Sequence, residues 1–257
     1  MQFTFYKYQG TGNDFVLIDN RQLFFSKNDT KFISLLCNRK FGIGADGLIL
    51  LENHSSLDFK MVYYNADGNQ SSMCGNGGRC LVHFANFLGI IQSKTIFEAI
   101  DGVHEASLEQ GIVSLKMNSV SKVVEENEYT FLDTGSPHHI TLCENLSNFD
   151  VLTHGARLRN ELYGKEGANI NFVESITEST FSVRTYERGV EAETLSCGTG
   201  VTAVAIAMHS KGLTKSNKVF LQTSGGELTV SFEKEEGVYK NVYLTGPAVM
   251  VFKGEWK

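Results

Sequence analysis

The chain has little of what would place it in a membrane, on a nucleic acid or outside the cell. Its 257 residues contain no apolar run close to the ~20 residues that a membrane-spanning helix needs. The first residues show no charged segment followed by an apolar core and a cleavage site, so we expect no secretory leader. A net charge of −6 disfavours nucleic acids and anionic membranes as partners. We therefore expect a cytoplasmic protein.

Proline and closely spaced cysteine pairs are also scarce. Two prolines accompany 25 glycines, which is typical of a chain with tight backbone turns and no rigid linkers. The cysteines form no C-x-x-C pair, so we expect no zinc site. An odd number of them, irregularly spaced in a chain of this length, is not typical of a secreted disulfide framework. Free thiols in a reducing compartment are the better interpretation.

One sequence block occurs twice. CGNGGRCLVHFANFLG begins at Cys74, and CGTGVTAVAIAMHSKG begins 123 residues later at Cys197. The same offset relates two further pairs of segments, namely Thr11-Gly12 with Thr134-Gly135 and Gly44-Ala45 with Gly167-Ala168. Three segments in register predict a duplicated protein with two lobes and one reactive cysteine in each. We place the lobes at 1–118 and 119–247, with a C-terminal strand at about 248–257 as a candidate to join the first lobe.

Hydrophobic periodicity predicts both helices and strands in each half. Helical spacing covers 30–38, 77–88, 148–163 and 200–211. The segment GIGADG at 42–47 has the G-x-G-x-x-G spacing of a dinucleotide-binding loop. That loop requires a strand before it and a helix after it, whereas here a helical pattern precedes and a strand pattern follows. We therefore expect no dinucleotide site.

Cys74 and Cys197 stand just before predicted helices, where the chemistry of a thiol changes. A helix N-terminus leaves N–H groups unpaired and carries a partial positive charge. The adjacent glycines let the backbone approach a ligand, which produces an anion cradle with a thiol at its edge. The same field favours the thiolate. One such site suggests a nucleophile or a base, and two suggest an acid and a base on opposite sides of one carbon. The other three, Cys37, Cys80 and Cys143, fit small buried apolar residues.

Four stretches carry a family resemblance: TGNDFVLID, YYNADGNQSSMCGNGGRC, ERGVEAETLSCGTG and the SPH of TGSPHH. Together they resemble diaminopimelate epimerases, which are cofactor-independent amino-acid racemases, and the resemblance covers the whole chain. It implies an α/β (α+β) fold of two pseudo-symmetric lobes, each a curled, mostly antiparallel sheet wrapped around a central helix, with the active site in the cleft. It also implies an isomerase that converts LL-2,6-diaminopimelate to the meso form in lysine and peptidoglycan-precursor biosynthesis. The family is usually a cytoplasmic homodimer that uses neither cofactor nor metal.

The resemblance also implies roles for individual residues. Cys74 and Cys197 are the two bases, with His138 tuning the protonation of Cys74 and Glu187 that of Cys197. The implied substrate contacts are Asn13, Asn65, Gly75, Asn76, Asn169, Glu187, Arg188, Gly198 and Thr199. The chain departs from the family in having Gly47 where glutamine is common and Ser136 where asparagine is common. It also has one residue more between Arg188 and Cys197. All three departures lie at the implied substrate pocket rather than at the thiols.

The residues alone leave other interpretations open. Asn13 and Asn65 lie in good turn sequences, His138 by itself fits a structural histidine, and Arg188 fits a surface residue. Two-thiol chemistry also fits proline racemases and hydroxyproline epimerases, although CGNGGRC in place of cysteine-glycine-histidine favours the diaminopimelate enzymes. A phenazine-pathway isomerase of similar fold lacks the cysteine pair. A thiol redox or binding protein is a different class, which would cycle a disulfide without α-proton exchange. The repeat of whole anion-cradle blocks disfavours that class.

Overall fold

The computed structural model describes residues 2–71 and 73–257. The backbone divides into two compact units. The first unit ends at Leu115 and also includes Gly246–Lys257, and the second covers Lys116–Thr245.

The first unit alternates strands and helices. Its elements are β1 (Phe3–Gly10), β2 (Asn13–Asp19), α1 (Thr30–Cys37), β3 (Gly47–Glu52), β4 (Phe59–Asn65), α2 (Gly75–Phe87), β5 (Lys94–Ala99), β6 (Gly102–Glu109), β7 (Ile112–Lys116) and β17 (Val249–Trp256). The strands are ordered β17-β1-β2-β3-β4-β5-β6-β7. Neighbours are antiparallel except β2–β3 and β4–β5. Parallel neighbours require a crossover, and α1 and α2 provide the two crossovers.

The second unit repeats this plan. Its elements are β8 (Val123–Glu125), β9 (Thr130–Asp133), β10 (Pro137–Leu142), a 3₁₀ turn (Leu146–Asn148), α3 (Val151–Tyr163), β11 (Asn169–Thr177), β12 (Thr180–Glu187), β13 (Ala192–Thr194), α4 (Gly198–Ser210), β14 (Lys218–Thr223), β15 (Gly226–Glu235) and β16 (Val238–Pro247). The strand order is β8-β9-β10-β11-β12-β14-β15-β16. The parallel pairs β10–β11 and β12–β14 are again joined through helices, α3 and α4. The short β13 additionally pairs with β12.

Each sheet encloses one helix. Helix α2 contacts β1, β2, β3, β6 and β17. Helix α4 contacts β9, β10, β11, β12, β14 and β15. Almost all of α4 is buried, because its valines, alanines, isoleucine and methionine form the centre of the apolar core of the second unit. A helix that is apolar on all sides is stable only inside such an enclosure. The expected mixed α/β architecture, with a mostly antiparallel sheet around a central helix in each unit, is confirmed.

The sequence repeat is also a repeat of backbone conformation. Three pairs of glycines at the 123-residue offset have positive φ: Gly12 and Gly135 (84° and 105°), Gly44 and Gly167 (82° and 66°), and Gly89 and Gly212 (72° and 71°). Glycine adopts this region without the steric cost that a Cβ imposes. The last pair ends α2 and α4 as expected for the residue after a helix C-cap.

Several predicted helix bounds were wrong at their N-termini. Helices α2 and α4 begin at Gly75 and Gly198, two residues before the predicted starts, because glycines with low helix propensity nonetheless form the first turn. The predicted 148–163 helix begins only at Val151, after a separate 3₁₀ turn. Helix α1 begins at Thr30, as predicted, and is capped by Asp29, whose carboxylate accepts a hydrogen bond from the N–H of Phe32.

Candidate active site

Cys74 is the N-cap residue of α2. Its backbone is extended (φ −94°, ψ 128°), and its side chain makes no capping hydrogen bond to the helix. The backbone carbonyl of Cys74 accepts the first helical hydrogen bond, from the N–H of Gly78 at 2.7 Å. The Cys74 thiol lies 3.5 Å from Oδ1 of Asn13, to which it can donate. The helix N-terminus and the thiol therefore occupy one place, as the sequence predicts.

A cluster of charged side chains fixes the amide of Asn13. Its Nδ2 donates to Asp46 at 2.6 Å. Arg39 donates to both oxygens of Asp14 at 2.9 and 2.7 Å and to Asp46 at 2.8 Å, and Lys7 pairs with Asp14 at 2.7 Å. Burial raises the pKa of Asp14, but the hydrogen bonds from Arg39 and Lys7 prevail and hold that pKa well below its usual range. Because its nitrogen is engaged by Asp46, Asn13 presents its oxygen to the thiol.

Asn65 and Gly47 face each other at the ends of two strands. Asn65 closes β4 and pairs in register with Gly47 at the start of β3. A Cβ atom at Gly47 would lie 2.5 Å from the ring of Tyr63 and 2.5 Å from the backbone oxygen of Tyr64. The space that a larger side chain would need at position 47 is therefore filled by Tyr63. Asn65 also opens a turn, since its carbonyl accepts from the N–H of Gly68 at 2.9 Å.

Cys197 occupies the equivalent place at α4. It is the N-cap residue (φ −117°, ψ 112°) and is 6% exposed. Its sulfur lies 3.5 Å from the hydroxyl of Thr199, which can act as donor or acceptor. A Cβ at Gly200 would lie 2.6 Å from Oδ1 of Asn171 and 3.3 Å from the Cys197 sulfur. Only glycine at position 200 lets this thiol and this amide approach the first turn together.

Asn171 is a functional candidate that the sequence reasoning missed. It is fully buried, and its Oδ1 accepts from the hydroxyl of Thr185 at 3.0 Å. Its Nδ2 donates to the carbonyl of His139 at 3.0 Å and lies 3.2 Å from Nδ1 of His138. Its one weak signal in the sequence is a polar residue between Ile170 and Phe172.

His138 is a neutral imidazole in this environment. An amide nitrogen can only donate, so Nδ1 of His138 accepts from Asn171 and the ring proton resides on Nε2. Burial, with a smaller effect from the positive charge of Arg188, lowers the pKa of His138 to about 3. Within residues 2–71 and 73–257, Nε2 is buried and has no hydrogen-bond partner. His138 therefore carries an unused N–H donor.

The predicted residues at the end of β12 form a second local group. The hydroxyl of Thr194 on β13 donates to Oε2 of Glu187 at 3.0 Å. The N–H of Arg188 donates to Oδ1 of Asn169 at 2.8 Å, and its guanidinium donates to the carbonyl of Glu166 at 2.9 Å. Asn169 is buried at the start of β11, whereas Arg188 is exposed. The segment between Arg188 and Cys197 contains β13, which pairs with β12.

The structure thus groups the predicted residues by unit. The first unit brings together Cys74, Asn13, Gly75 and Asn76, with Asn65 at the end of β4. The second brings Cys197, Gly198 and Thr199 together at α4, and Glu187, Arg188 and Asn169 together at the strand ends. His138 lies in β10, buried and bonded to Asn171.

At the remaining three cysteines, burial disfavours the thiolate. All five cysteines are thiols. Burial raises the pKa of Cys37 and of Cys80 to about 12 and also raises that of Cys143. In the described part of the chain, no cluster of histidine, cysteine, aspartate and glutamate could hold a metal ion. None of the helices formed by those residues is long and apolar enough to cross a membrane.

Comparison with known proteins identifies the relatives of the chain. The sequence model of the family described as diaminopimelate epimerase matches residues 5–123 and 130–251. A diaminopimelate epimerase from Flavobacterium psychrophilum is 60% identical over 250 residues, covering 96% of this chain and 98% of the relative. A Bacillus anthracis phenazine biosynthesis protein of the PhzF family has a similar fold, with a TM-score of 0.80 at 13% identity over 100% of this chain and 99% of that one. A hydroxyproline epimerase from Agrobacterium vitis gives a TM-score of 0.70 at 14% identity, covering 99% and 91% of the two chains.

Proposed function

The chain belongs to the diaminopimelate epimerase family, and on that basis we propose that it is an isomerase that interconverts LL- and meso-2,6-diaminopimelate. The reaction serves lysine and peptidoglycan-precursor biosynthesis and needs no cofactor. The observation that carries the proposal is the pair of cysteines that cap the two matching helices, α2 and α4, in a chain 60% identical to a protein named for this activity.

The chemistry uses the two thiols as acid and base. The thiolate of one cysteine removes the α-proton, and the thiol of the other delivers a proton to the opposite face of the same carbon. The proton count balances, because the thiolate becomes a thiol as the thiol becomes a thiolate. Negative charge that develops on the α-carboxylate is stabilised by the unpaired N–H groups of the helix N-termini, at Gly75-Asn76 and Gly198-Thr199. One preorganised donor of this kind is worth roughly 3–4 kcal/mol in a transition state.

His138 and Glu187 tune the two thiols, His138 towards Cys74 and Glu187 towards Cys197. The support for His138 is its neutral ring and its buried Nε2–H donor, which suits the stabilisation of a thiolate rather than proton transfer at neutral pH. The support for Glu187 is its location at the end of β12, where Thr194 holds one of its oxygens. A carboxylate close to a thiol accepts its proton or raises its pKa.

The distal contacts to the substrate come from polar groups at strand ends. We assign this role to Asn13, Asn65, Asn169 and Arg188. Arg188 suits a carboxylate, because guanidinium groups bind carboxylates in bidentate fashion. Gly47 and Ser136 change the local surface relative to other family members, and at position 47 the ring of Tyr63 fills the space.

We further propose that the protein is a cytoplasmic homodimer. Each chain consists of two duplicated lobes, 1–118 and 119–247. A surface of β17 supports self-association, because Val249, Val251 and Phe252 are all about half exposed there. Light scattering on a size-exclusion column measures the oligomeric state directly. A mass of one chain of 28.5 kDa at micromolar concentration would contradict the dimer.

Turnover of the pure protein tests the function. We expect purified protein with no added cofactor to convert LL-diaminopimelate to the meso form, and we expect Cys74→Ala and Cys197→Ala to abolish the conversion. Proline and trans-4-hydroxyproline serve as control substrates, because the hydroxyproline epimerase fold is shared. Activity on either of these with none on diaminopimelate would refute the substrate assignment, and disulfide cycling without epimerisation would refute the reaction.

A further inference from the structure

A fully buried arginine lies one turn inside the helix that Cys74 caps. Arg79 on α2 is 0% exposed. Its Nη2 donates to the hydroxyl of Thr11 at 3.1 Å, while Nη1 and Nε make longer contacts, 3.4 Å to the carbonyl of Gly75 and 3.5 Å to that of Pro247. All three partners are neutral, and across residues 2–71 and 73–257 no carboxylate pairs with this guanidinium. Burying a cation without an anion is costly, so the position requires a reason.

The guanidinium and the Cys74 thiol share one support. The turn between β1 and β2 contributes Thr11 to Arg79 and, two residues later, Asn13 to the Cys74 sulfur. The guanidinium contacts the carbonyl of Gly75 in the first turn of α2, and Cys74 caps that turn. The positive charge of Arg79 is therefore held on the Cys74 side of the unit, and it acts on that thiol through the protein interior, where screening by water is weak.

Few groups near Arg79 can become its counter-charge. Burial lowers the pKa of Arg79, whereas the two neighbouring thiols, Cys80 and Cys74, raise it. Cys80 remains a thiol, because its pKa is about 12. Cys74 is partly exposed and stands at a helix N-terminus, which makes it the thiol that can ionise.

The second unit has no equivalent cation. The residue 123 positions after Arg79 is Thr202, which is buried and neutral and whose hydroxyl donates to the carbonyl of Gly198 at 2.9 Å. Cys197 instead has the hydroxyl of Thr199, which serves as donor to a thiolate or acceptor from a thiol. Cys74 has an acceptor, the oxygen of Asn13, which stabilises only the thiol.

We propose that Arg79 is the positioning residue that lets Cys74 ionise, by placing a permanent buried positive charge against the first turn of the helix that Cys74 caps. Its role in catalysis rests on the proposed function, since a reversible epimerase uses each cysteine as thiolate in one direction and as thiol in the other. Other charged or titratable groups lie on the elements packed around this site. They include Cys80 and His83 on α2, Tyr6, Lys7 and Tyr8 on β1, Asp14 on β2, Arg39 and Asp46 in the loop before β3, Tyr63 on β4, and Asp101 with His104 near Met73.

Alkylation of individual cysteines as a function of pH tests the proposal without requiring turnover. Initial rates of iodoacetamide modification at Cys74 and Cys197 are followed by peptide mass spectrometry in the full-length protein and in Arg79→Gln, Arg79→Lys and Thr202→Val. We expect a midpoint for wild-type Cys74 below the usual thiol value of about 8.5. Arg79→Gln should raise that midpoint by at least about one unit, the lower end of the effect of a close opposite charge. Arg79→Lys should shift it less, and Thr202→Val should leave it unchanged.

Two results would overturn the role of Arg79. One is a wild-type Cys74 midpoint at or above the usual value, which decides the question even where Arg79→Gln fails to fold. The other is a Cys74 midpoint that shifts equally in folded Arg79→Gln and Arg79→Lys, or that shifts in neither. An effect of charge must distinguish these variants, because lysine keeps the positive charge and glutamine does not. Absence of epimerase activity in the wild type would refute the proposed function and leave the titration of Cys74 as a separate result.

Discussion

At the scale of single residues, the two units differ in which atoms lie against the first turn of the cysteine-capped helix. Gly77 and Gly200 occupy equivalent positions, three residues after Cys74 and Cys197. A Cβ at Gly77 would first meet the terminal methyl of Ile49 at 3.0 Å, which can move. A Cβ at Gly200 would meet the buried amide of Asn171 at 2.6 Å, which is held by hydrogen bonds.

This difference predicts unequal effects of one substitution. Gly200→Ala should lower kcat/KM by at least about tenfold, because displacement of Asn171 or the Cys197 sulfur disturbs reactive geometry to which rates are sensitive. Gly77→Ala is the matched variant, and its kcat/KM should fall by less. Steady-state kinetics and thermal unfolding of both proteins measure the effect. Equal losses in the two variants would mean that the approach at Gly200 has no special importance.

Because His138 is buried and neutral, we predict that the free energy of unfolding falls at acid pH. Its pKa in the folded chain is about 3, against about 6.5 in an unfolded chain. As the pH falls from about 6.5 to 3, the unfolded chain takes up this proton and the folded chain does not, so the free energy of unfolding decreases. His138→Gln should flatten this decrease, and some slope should remain because burial also lowers the pKa of His139 to about 4.

Urea unfolding at pH 7.5 and at pH 4.5 measures this loss of stability. His139→Gln provides the comparison, since it removes the second contribution and retains the first. A His138→Gln protein with the same loss of stability between the two pH values as the wild type would contradict a neutral, buried His138.

At the scale of elements, the sequence predicted those helices and helix ends that depend on the spacing of nearby residues. The 3.6-residue periodicity located all four α-helices, and Gly89 and Gly212 located two of their ends. The starts of α2 and α4 were missed because Gly75 and Gly198 have low intrinsic helix propensity, which the buried environment overrides. The β13 strand has only 3 residues, too few for an alternating pattern to show. The Asn171 hydrogen bonds join it to His139 and Thr185, which are distant in sequence, so they leave no local signal.

The hairpin of β12 and β13 depends on one arginine. Arg184 donates to both oxygens of Glu193 at 2.6 and 2.7 Å, and to the carbonyls of Leu146 and Phe149 at 2.7 and 2.8 Å. It therefore ties two strands to the 3₁₀ turn and orders the segment that leads from Arg188 to Cys197.

Removal of that link should loosen the approach to Cys197. We expect Arg184→Met to lower the free energy of unfolding by about 2 kcal/mol, which is typical of hydrogen bonds to a charged group, and to speed hydrogen exchange at 188–197. Lys240→Met removes an exposed ion pair with Glu235 and should change stability by less than about 0.5 kcal/mol. Unchanged exchange at 188–197 in Arg184→Met would show that the segment is ordered by other contacts.

At the scale of the whole molecule, a sequence repeat corresponds to a repeated topology. The 123-residue offset predicted a shared plan, because turn glycines and helix caps are local requirements that both units must meet. It could not predict how the units differ in chemistry. Arg79 corresponds to Thr202, Phe15 to His138 and Leu48 to Asn171, so equivalent backbone positions in the two units carry different polar groups.

If two thiols act as separate base and acid on one carbon, the incorporation of isotope from solvent differs between product and remaining substrate. LL-diaminopimelate is incubated with the enzyme in D₂O, and deuterium is measured early in both product and remaining substrate. Two separate bases predict deuterium at the inverted carbon of the product while unreacted substrate stays largely unlabelled, because the proton removed by one thiolate is not returned from the same face. Equal labelling of substrate and product from the earliest times would show that a single base serves both faces, and it would rule out separate roles for Cys74 and Cys197.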